Sequence, residues 1–221
     1  MEEIIAIMLI LLTILTIFCL YKMLDKRGLY FGLVMMDLIA FVLSFKISYV
    51  FKMNINVGII PLIASFTIIY IFLTKYNAKE TKNLLQITLY SNIITALLLL
   101  IMNFFIPAIT ETISINMQGT FEYNYKILIV YPIIVFISQL ATAKLFGLIC
   151  ELQNNIAISI GLTYIITGLI YTVLSYAISY IELLEIQYSL FLAISTYIIG
   201  IAITIVNIIF IHILNKKKVI K

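Results

Sequence analysis

Residues 127–150 read ILIVYPIIVFISQLATAKLFGLIC, an apolar run in which Lys144 is the only charged residue. The hydrocarbon core of a bilayer is about 30 Å thick, so about 20 apolar residues rising 1.5 Å each can cross it as an α-helix. The run therefore predicts a membrane-spanning helix. Its lysine raises the question of whether this helix merely sits in lipid or lines a path for something polar.

The composition of the whole chain agrees with a membrane location. Of its 221 residues, 64% are hydrophobic and 11% are charged, and the mean hydropathy is +1.18. Soluble domains are roughly 45–50% apolar and about 25% charged. These values exclude a soluble globular protein. Because no Pro-, Gly- or Ser-rich linker divides the chain, residues 1–221 are predicted to form a single transmembrane domain.

Seven apolar segments are long enough to cross a bilayer. They predict an all-α, polytopic integral membrane protein, a bundle of seven transmembrane helices. The predicted spans are 4–20, 29–50, 55–73, 84–106, 127–150, 156–180 and 190–214. Pro61 falls inside the third span, where packed neighbours would have to satisfy the carbonyl that proline leaves free.

The distribution of lysine and arginine predicts the orientation of the bundle, because both residues favour short cytoplasmic loops. With the N-terminus outside and the C-terminus in the cytoplasm, only Lys52 and Lys126 fall in outer segments. The inner segments hold Lys22, Lys26, Arg27, Lys75, Lys79, Lys82, Lys216, Lys217, Lys218 and Lys221. Adding or removing one span would scramble this division, so we expect a multi-pass protein of the cell membrane.

Several other function classes find no support in the sequence. The basic residues lie in short segments between spans and form no continuous face, which argues against a nucleic-acid partner. Cys19 and Cys150 have no metal or redox spacing, and His212 is the only histidine. Without a nucleophile motif or paired intramembrane carboxylates, we expect neither an enzyme nor a bound metal or cofactor. The N-terminal segment lacks the basic n-region of a signal peptide and is expected to remain as a membrane anchor.

Three charged residues fall within the predicted spans: Asp37, Lys46 and Lys144. An ionisable group at mid-membrane costs about 2.5–3.5 kcal/mol on insertion scales, so it usually faces protein or water and often marks function. The lysines could snorkel to the interface, whereas Asp37 is too short and needs a partner or a wet cavity. Asp37 and Lys144 have similar predicted depths. They could pair across the bundle or contact a shared cavity, with a purely structural ion pair as the alternative.

Uncharged polar residues also lie in the spans or at their ends. Each could bond a cargo, and each could equally bond a neighbouring helix or a carbonyl one turn back. Those that we keep as candidates for a substrate site are Tyr70, Thr74, Gln139 and Thr142, and Asn92 has the same two interpretations. The small residues Gly147, Gly161 and Gly168 are expected to allow close helix packing.

A set of motifs in this order resembles the vitamin uptake transporter family, whose members are identified as transporters of queuosine precursors. The motifs are LYKMLDKRGLYFGLVM (20–35), SFKISYVF (44–51), VGIIPLIASF (57–66), KYNAKETKNLLQITLYSN (75–92), ISQLATAKLF (137–146) and LQNNIAISIG (152–161). The resemblance covers most of the chain and implies a helical membrane transporter. It places Lys46 on a characteristic lysine, and it adds Asn154 and Asn155 of the L-R-N-N turn to the candidate substrate site.

The departures from this family pattern remove polar groups. Tyr70 and Thr74 stand where the family has two carboxylates, and Thr142 replaces the aspartate of the S-Q-x-x-D helix. Leu162 and Ile165 stand where a glutamine and an aspartate are expected. Carboxylates suit the N–H donors of a 7-deazaguanine, because charge-assisted hydrogen bonds are about twice as strong as neutral ones. Their loss indicates a changed cargo or a chain that no longer transports.

The sequence thus predicts a permease-like transporter that takes up a small polar molecule, a queuosine precursor or another nucleobase-like or vitamin-like compound. Its expected partners are the lipid bilayer, the small-molecule substrate and membrane or ATPase subunits. Coupling to protons, to sodium or to a partner ATPase stays open, and Asp37 is a candidate proton carrier. The alternative is a non-transporting membrane subunit that scaffolds a complex.

Overall fold

The computed structural model describes residues 2–76, 78–102, 125–153, 155–180 and 184–216. The helices are α1 (Glu2–Leu43), α2 (Ile59–Lys75), α3 (Ala78–Met102), α4 (Tyr125–Leu152), α5 (Ile156–Ser175) and α6 (Ile186–Lys216). Two short strands, β1 (Ile47–Val50) and β2 (Met53–Asn56), follow α1, and a π-helical turn (Tyr176–Tyr180) follows α5. Within the described residues, α1, α3, α4, α5 and α6 are long and apolar enough to cross a membrane. The prediction of an all-α, membrane-embedded protein is confirmed.

Helix α1 folds back on itself at Asp25. This residue has a left-handed backbone, with φ 48° and ψ −123°. Residues eight apart in a straight helix are about 12 Å apart along the axis, yet a Cβ built on Gly28 would lie 1.9 Å from the carbonyl oxygen of Leu20. The two halves, α1a (residues 2–24) and α1b (residues 26–43), therefore lie side by side. They correspond to the first two predicted spans.

The opposite ends of these two halves also meet. Glu2 and Ile5 of α1a line a small cavity together with Lys46 and Ser48, which come just after α1b. The bundle thus has a turn end, where Asp25 lies, and a hairpin end, where β1 and β2 lie.

The predicted boundary between the second and third spans is wrong. Span 29–50 was expected to continue to Val50, but α1 ends at Leu43, and residues 47–56 form an antiparallel β-hairpin. Phe51 and Lys52 form its two-residue turn with φ values of 49° and 60°, the backbone typical of a type I′ hairpin turn. A continuous apolar run does not distinguish strand from helix, which explains the error.

The base of the hairpin is fixed to the rest of the protein by Asn56. Its Nδ2 donates to the carbonyl of Ser44 at 2.9 Å, and its Oδ1 accepts from the N–H of Gly58 at 2.8 Å. Its own N–H donates to Oγ1 of Thr196 on α6 at 3.2 Å. Val50, Ile55 and Asn56 are buried. Non-helical backbone at membrane depth is tolerated where protein encloses it, and these contacts provide that enclosure.

Helix α2 is the central helix of the bundle. Every residue from Ile59 to Phe72 is buried, and α2 packs against α1, α3, α4 and α6. At 17 residues it is shorter than a full span. The β-hairpin precedes it at one end of the bundle. Because α2 begins at Ile59, Pro61 lies in its first turn, where its missing N–H interrupts no helical hydrogen bond. Pro61 thus lies inside the predicted span, but its position in the first turn of α2 leaves no carbonyl of the helix for packed neighbours to satisfy.

The outer surface of the bundle is apolar. Residues such as Leu11, Leu98, Ile133, Leu169 and Ile194 are more than half exposed on α1, α3, α4, α5 and α6. An exposed apolar surface of this extent suits lipid rather than water. The remaining predicted spans agree with α3 to α6 to within several residues, with residues 103–106 of the fourth span outside the described part of the chain.

The contact between Gly28 and Leu20 predicts that Gly28→Ala destabilises the protein. The new Cβ would collide with main-chain atoms, at 1.9 Å from the oxygen and 2.5 Å from the carbon of the Leu20 carbonyl. We expect a loss of about 1–3 kcal/mol or more, measured as a lower thermal unfolding midpoint in detergent. Gly147→Ala is the matched control, because a Cβ there meets no atom within 4 Å. It should be neutral or add up to about 1 kcal/mol from helix propensity.

Candidate functional site

Four polar side chains from four helices meet in the interior of the bundle. They are Asp37 of α1b, Ser65 of α2, Asn92 of α3 and Gln139 of α4, and we call them the Asp37 cluster. All four are at most 1% exposed. Nε2 of Gln139 lies 2.9 Å from Oδ1 and 2.8 Å from Oδ2 of Asp37. Ser65 and Asn92 lie beside the Asp37 carboxyl group.

The helices bring these residues to a common depth. Asp37 is six residues from the end of α1 at Leu43, or about 9 Å along the axis, and Ser65 is six residues from the start of α2 at Ile59. Gln139 lies at the centre of α4. Asp37 therefore lies nearer to the hairpin end of its own helix than the predicted limits of span 29–50 imply.

Asp37 faces the protein because its neighbours one turn away do so as well. Leu33, Met36, Ala40 and Phe41 are at most 1% exposed, and they lie three or four residues from Asp37 or adjacent to it. Such spacing places them on one side of a helix. The expectation that a scarce intramembrane carboxyl group turns inward toward partners is confirmed.

The predicted ion pair between Asp37 and Lys144 does not form. Lys144 is exposed on the outer face of α4, whereas Asp37 is 0% exposed. Among the described residues, the one ion pair joins Lys26 and Glu80, with Nζ and Oε1 2.5 Å apart. Lys144 is therefore not part of a polar site with Asp37. Its long stem can carry the ammonium group toward the interface.

Gln139 connects the Asp37 cluster to further hydroxyl groups. Its Nε2 lies 3.3 Å from Oγ of Ser65, and its Oε1 accepts a long bond of 3.5 Å from Oγ1 of Thr88. Thr88 and Ser65 each also donate to a carbonyl of their own helix, at 2.9 Å and 2.8 Å. Oγ of Ser65 is thereby left as an acceptor for Nε2 of Gln139, whereas Thr88 has one hydroxyl hydrogen for both the Leu85 carbonyl and Oε1 of Gln139.

Tyr70 and Thr142 are buried but belong to other contacts. The Tyr70 ring packs on Phe146 with centroids 5.0 Å apart, and its hydroxyl lies beside Thr167 without a hydrogen bond of normal geometry. Thr142 donates to the carbonyl of Ser138 one turn back at 2.8 Å. Thr142 therefore bonds a carbonyl of its own helix, which is one of the roles that the sequence analysis left open.

The other predicted site residues lie at the ends of the bundle. Lys46 is exposed and follows α1 instead of lying inside a span, so it needs no snorkelling. Thr74 is exposed in the last turn of α2 and bonds the carbonyl of Ile71. Asn155 caps α5, with Oδ1 accepting from the N–H groups of residues 157 and 158 at 3.0 Å and 3.4 Å. Asn154 lies outside the described residues.

Sequence reasoning missed Ser65 and Thr88 as site residues. Both are ordinary helix positions in apolar runs, and a lone hydroxyl there usually bonds its own helix. A second buried pair was also missed, in which Nδ2 of Asn207 donates to Oγ1 of Thr67 at 2.8 Å. An amide within a predicted span is the one signal that could have found it.

Two positions at which the chain departs from the family pattern do not face the Asp37 cluster. Leu162 and Ile165 are 40% and 48% exposed on α5. Acidic or amide side chains at these positions would face lipid in this bundle.

The expected packing role of Gly147 is also wrong, since this residue is exposed and a Cβ there would meet no atom within 4 Å. Gly168 makes room for the ring of Tyr164, one turn earlier on the same helix, so its contact is within α5 and is not the expected close approach of two helices.

The turn end carries a separate network of polar groups. The Lys75 ammonium group donates to the hydroxyl of Tyr21, and the Tyr76 hydroxyl donates to Oδ1 of Asp25 at 3.3 Å. Desolvation, and then the charge of Asp25, raises the pKa of Tyr76 to about 12. Tyr76 therefore stays a neutral donor that fastens the turn of α1 to the end of α2.

Three cavities have described linings, and none of them includes a residue of the Asp37 cluster. One of about 270 Å³ lies between α5 and α6 beside Asn155 and His212. A second, of about 290 Å³, is almost wholly apolar and lies beside Tyr176 and Tyr197. The third, of about 50 Å³, lies beside Glu2 and Lys46. The Asp37 cluster is thus a packed polar site in this conformation.

Comparisons with family models, with curated proteins and with solved structures find no match for this chain. The site has to be interpreted from its own geometry. In the described part of the chain, no group of three or more His, Cys, Asp or Glu side chains could hold a metal ion. What the cluster offers is one carboxyl group among neutral amide and hydroxyl groups.

The contacts of Asp37 predict the outcome of two double-mutant cycles on unfolding free energy. Asp37→Leu and Gln139→Leu should be coupled by about 0.5–3 kcal/mol, because each single change strands a buried polar partner and the double change removes both. Asp37→Leu and Lys144→Met should add to within about 0.5 kcal/mol, since the two residues share no contact. Coupling in the second cycle and additivity in the first would contradict this site.

Proposed function

We propose that the chain crosses the membrane seven times, with the N-terminus outside and the C-terminus in the cytoplasm. The fold-back of α1 supports this count, because α1a, α1b and the five helices α2 to α6 then make seven segments. The charge distribution supports the orientation. Basic residues gather at the turn end, whereas the hairpin end of the described chain has Lys46, Lys52 and Lys126.

The topology proposal predicts from which side of the membrane a cysteine introduced at each end of the bundle can be labelled. In a background that lacks Cys19 and Cys150, Glu2→Cys should react with an impermeant thiol reagent added outside intact cells. Lys79→Cys, at the start of α3, should react only after the membrane is opened. The reverse pattern would invert the orientation, and labelling of both residues from outside would contradict the seven crossings.

We propose that this membrane protein is a permease-like transporter for the uptake of a small polar molecule across the cell membrane. The observation that carries the proposal is the Asp37 cluster, which gathers a carboxyl group, two amides and a hydroxyl group from four helices. Polar groups inside a bundle are expensive in a membrane and commonly mark transport pathways. Transporter sites lie near the membrane midplane, and the central position of Gln139 on α4 supports such a site.

The chemistry of the cluster favours a cargo with N–H donors. A buried carboxyl group offers acceptor positions, and Oδ1 of Asn92 is a second buried acceptor without a hydrogen-bond partner. The resemblance to the vitamin uptake transporter family points to the same class, because nucleobase-like compounds such as queuosine precursors carry amino and ring N–H groups. Opening of the bundle toward one side would be required to admit the cargo, as expected for alternating access.

A second candidate function is that of a membrane subunit that scaffolds a complex and transports nothing. The specific observation in its favour is the packing around Asp37, which leaves the cluster at most 1% exposed. In that case the cluster would only fix the register of four helices. Purification with stoichiometric partner proteins, together with no uptake of any compound, is the expected result of this alternative.

The transport proposal predicts saturable uptake of one or more members of a radiolabelled purine and 7-deazapurine panel into vesicles that contain the protein. Gln139→Leu should reduce uptake at least about tenfold, which corresponds to about 1.4 kcal/mol, because it removes the donor that orients Asp37. Lys144→Met is the matched control on the same helix and should retain uptake. Equal uptake by vesicles with and without the protein, across the panel, would argue for the scaffold.

A further inference from the structure

The carboxyl group of Asp37 lies among neutral groups only. From α2 it faces Ser65, from α3 Asn92 and from α4 Gln139. No charged side chain of the described residues contacts it, and from α4 the ionisable Tyr131 packs on Phe41 of α1b, with ring centroids 4.9 Å apart. A bare carboxylate without a counter-charge is very costly in such an interior. Something must neutralise Asp37.

We propose that Asp37 is a proton-binding site and that the Asp37 cluster holds it as a neutral carboxylic acid. The bond that forms is the O–H bond of the carboxyl group, and the proton comes from water on one side of the membrane. An O–H bond of a hydronium ion breaks in the same step and leaves a water molecule, and no electrons are transferred.

The count of hydrogen atoms around Ser65 supports this assignment. Ser65 has one hydroxyl hydrogen, and its Oγ lies 2.8 Å from the carbonyl oxygen of Leu62, to which it donates. That hydrogen is therefore not available to the Asp37 carboxyl group, beside which Ser65 lies. A carboxylic acid at Asp37 would instead donate its own O–H to Oγ of Ser65.

Asn92 provides a second acceptor for the same proton. It is 1% exposed and lies beside Asp37, and its Oδ1 has no hydrogen-bond partner among the described residues. Rotation of the amide by half a turn would place Oδ1 toward Asp37, since the two ends of an amide are nearly the same size. A buried acceptor without a donor costs about 1–3 kcal/mol. A neutral Asp37 has an O–H group that could donate to this oxygen, whereas a charged Asp37 has none.

The packing favours a proton over a metal cation. Ser65 and Asp37 are 0% exposed, and Asn92 and Gln139 are 1% exposed. The Nε2 donor of Gln139 lies against both carboxyl oxygens, in the position that a cation would need. A proton needs neither an empty volume nor the displacement of this donor.

In the proposed transporter, on which this step rests, proton binding would couple to cargo movement. Loss of the proton makes the Asp37 carboxylate a strong acceptor for N–H donors of a cargo. Gain of the proton weakens that acceptor and restores the closed, neutral cluster. Uptake of cargo would then be accompanied by movement of protons in the same direction or in the opposite one.

Infrared difference spectroscopy on the protein in lipid nanodiscs tests proton binding without any cargo. At neutral pH in sodium-free buffer, we expect a carboxylic-acid C=O band that shifts in heavy water and is lost in Asp37→Asn. The same band should persist in Asp25→Asn, which changes the exposed aspartate at the turn end. Asp37→Glu should keep a displaced band, which separates loss of the acid from loss of folding.

Two results would overturn the inference. One is the absence of an Asp37-dependent acid band at neutral pH. The other is a rise in the thermal midpoint on addition of sodium chloride, relative to choline chloride, that disappears in Asp37→Asn, which would assign the site to a sodium ion. Failure of the transport proposal alone would give a different result. The acid band would be present, but no compound of the panel would be taken up.

Discussion

The pair of hydrogen bonds from Gln139 to Asp37 is the contact on which the interior of this bundle depends. It joins α4 to α1b across a separation of 102 residues in the chain, and Ser65 and Asn92 bring α2 and α3 to the same carboxyl group. Apolar side chains can slide past one another in lipid with little loss, because lipid tails are as apolar as leucine. A buried carboxyl group cannot, since only one arrangement of the four helices satisfies it. The cluster therefore fixes register where the apolar surfaces do not.

This constraint links the two functions considered for the chain. A site that closes tightly around Asp37 gives the bundle a defined resting state, and the same closure would exclude lipid and ions from a transport path. The polar groups are shared among helices that pack in one layer around α2. Movement of any one of them would break several hydrogen bonds together, so opening and closing would tend to occur as a single step.

The sequence predicts location and fold class well because both depend on total hydrophobicity, which survives errors in individual boundaries. It also predicts that Asp37 turns inward, since the cost of a charge in lipid is independent of the fold. It fails for Lys144, because α4 is apolar on all faces and periodicity does not indicate which face meets lipid. It fails at 47–56 as well, where strand and helix share the same apolar residues. Ser65 shows the limit of predicting site residues from sequence, since a serine in an apolar run gives no indication of a site until its partners are known.

The hairpin has a consequence for the order in which the protein assembles. Residues 47–56 leave the ribosome early, yet the main-chain N–H of Asn56 finds its acceptor on Thr196, 140 residues later. Until α6 is made, this N–H lacks the acceptor that it has in the folded protein. The bond that fastens the base of the hairpin to the bundle can therefore form only after α6 has been made, as one of the late steps of biogenesis.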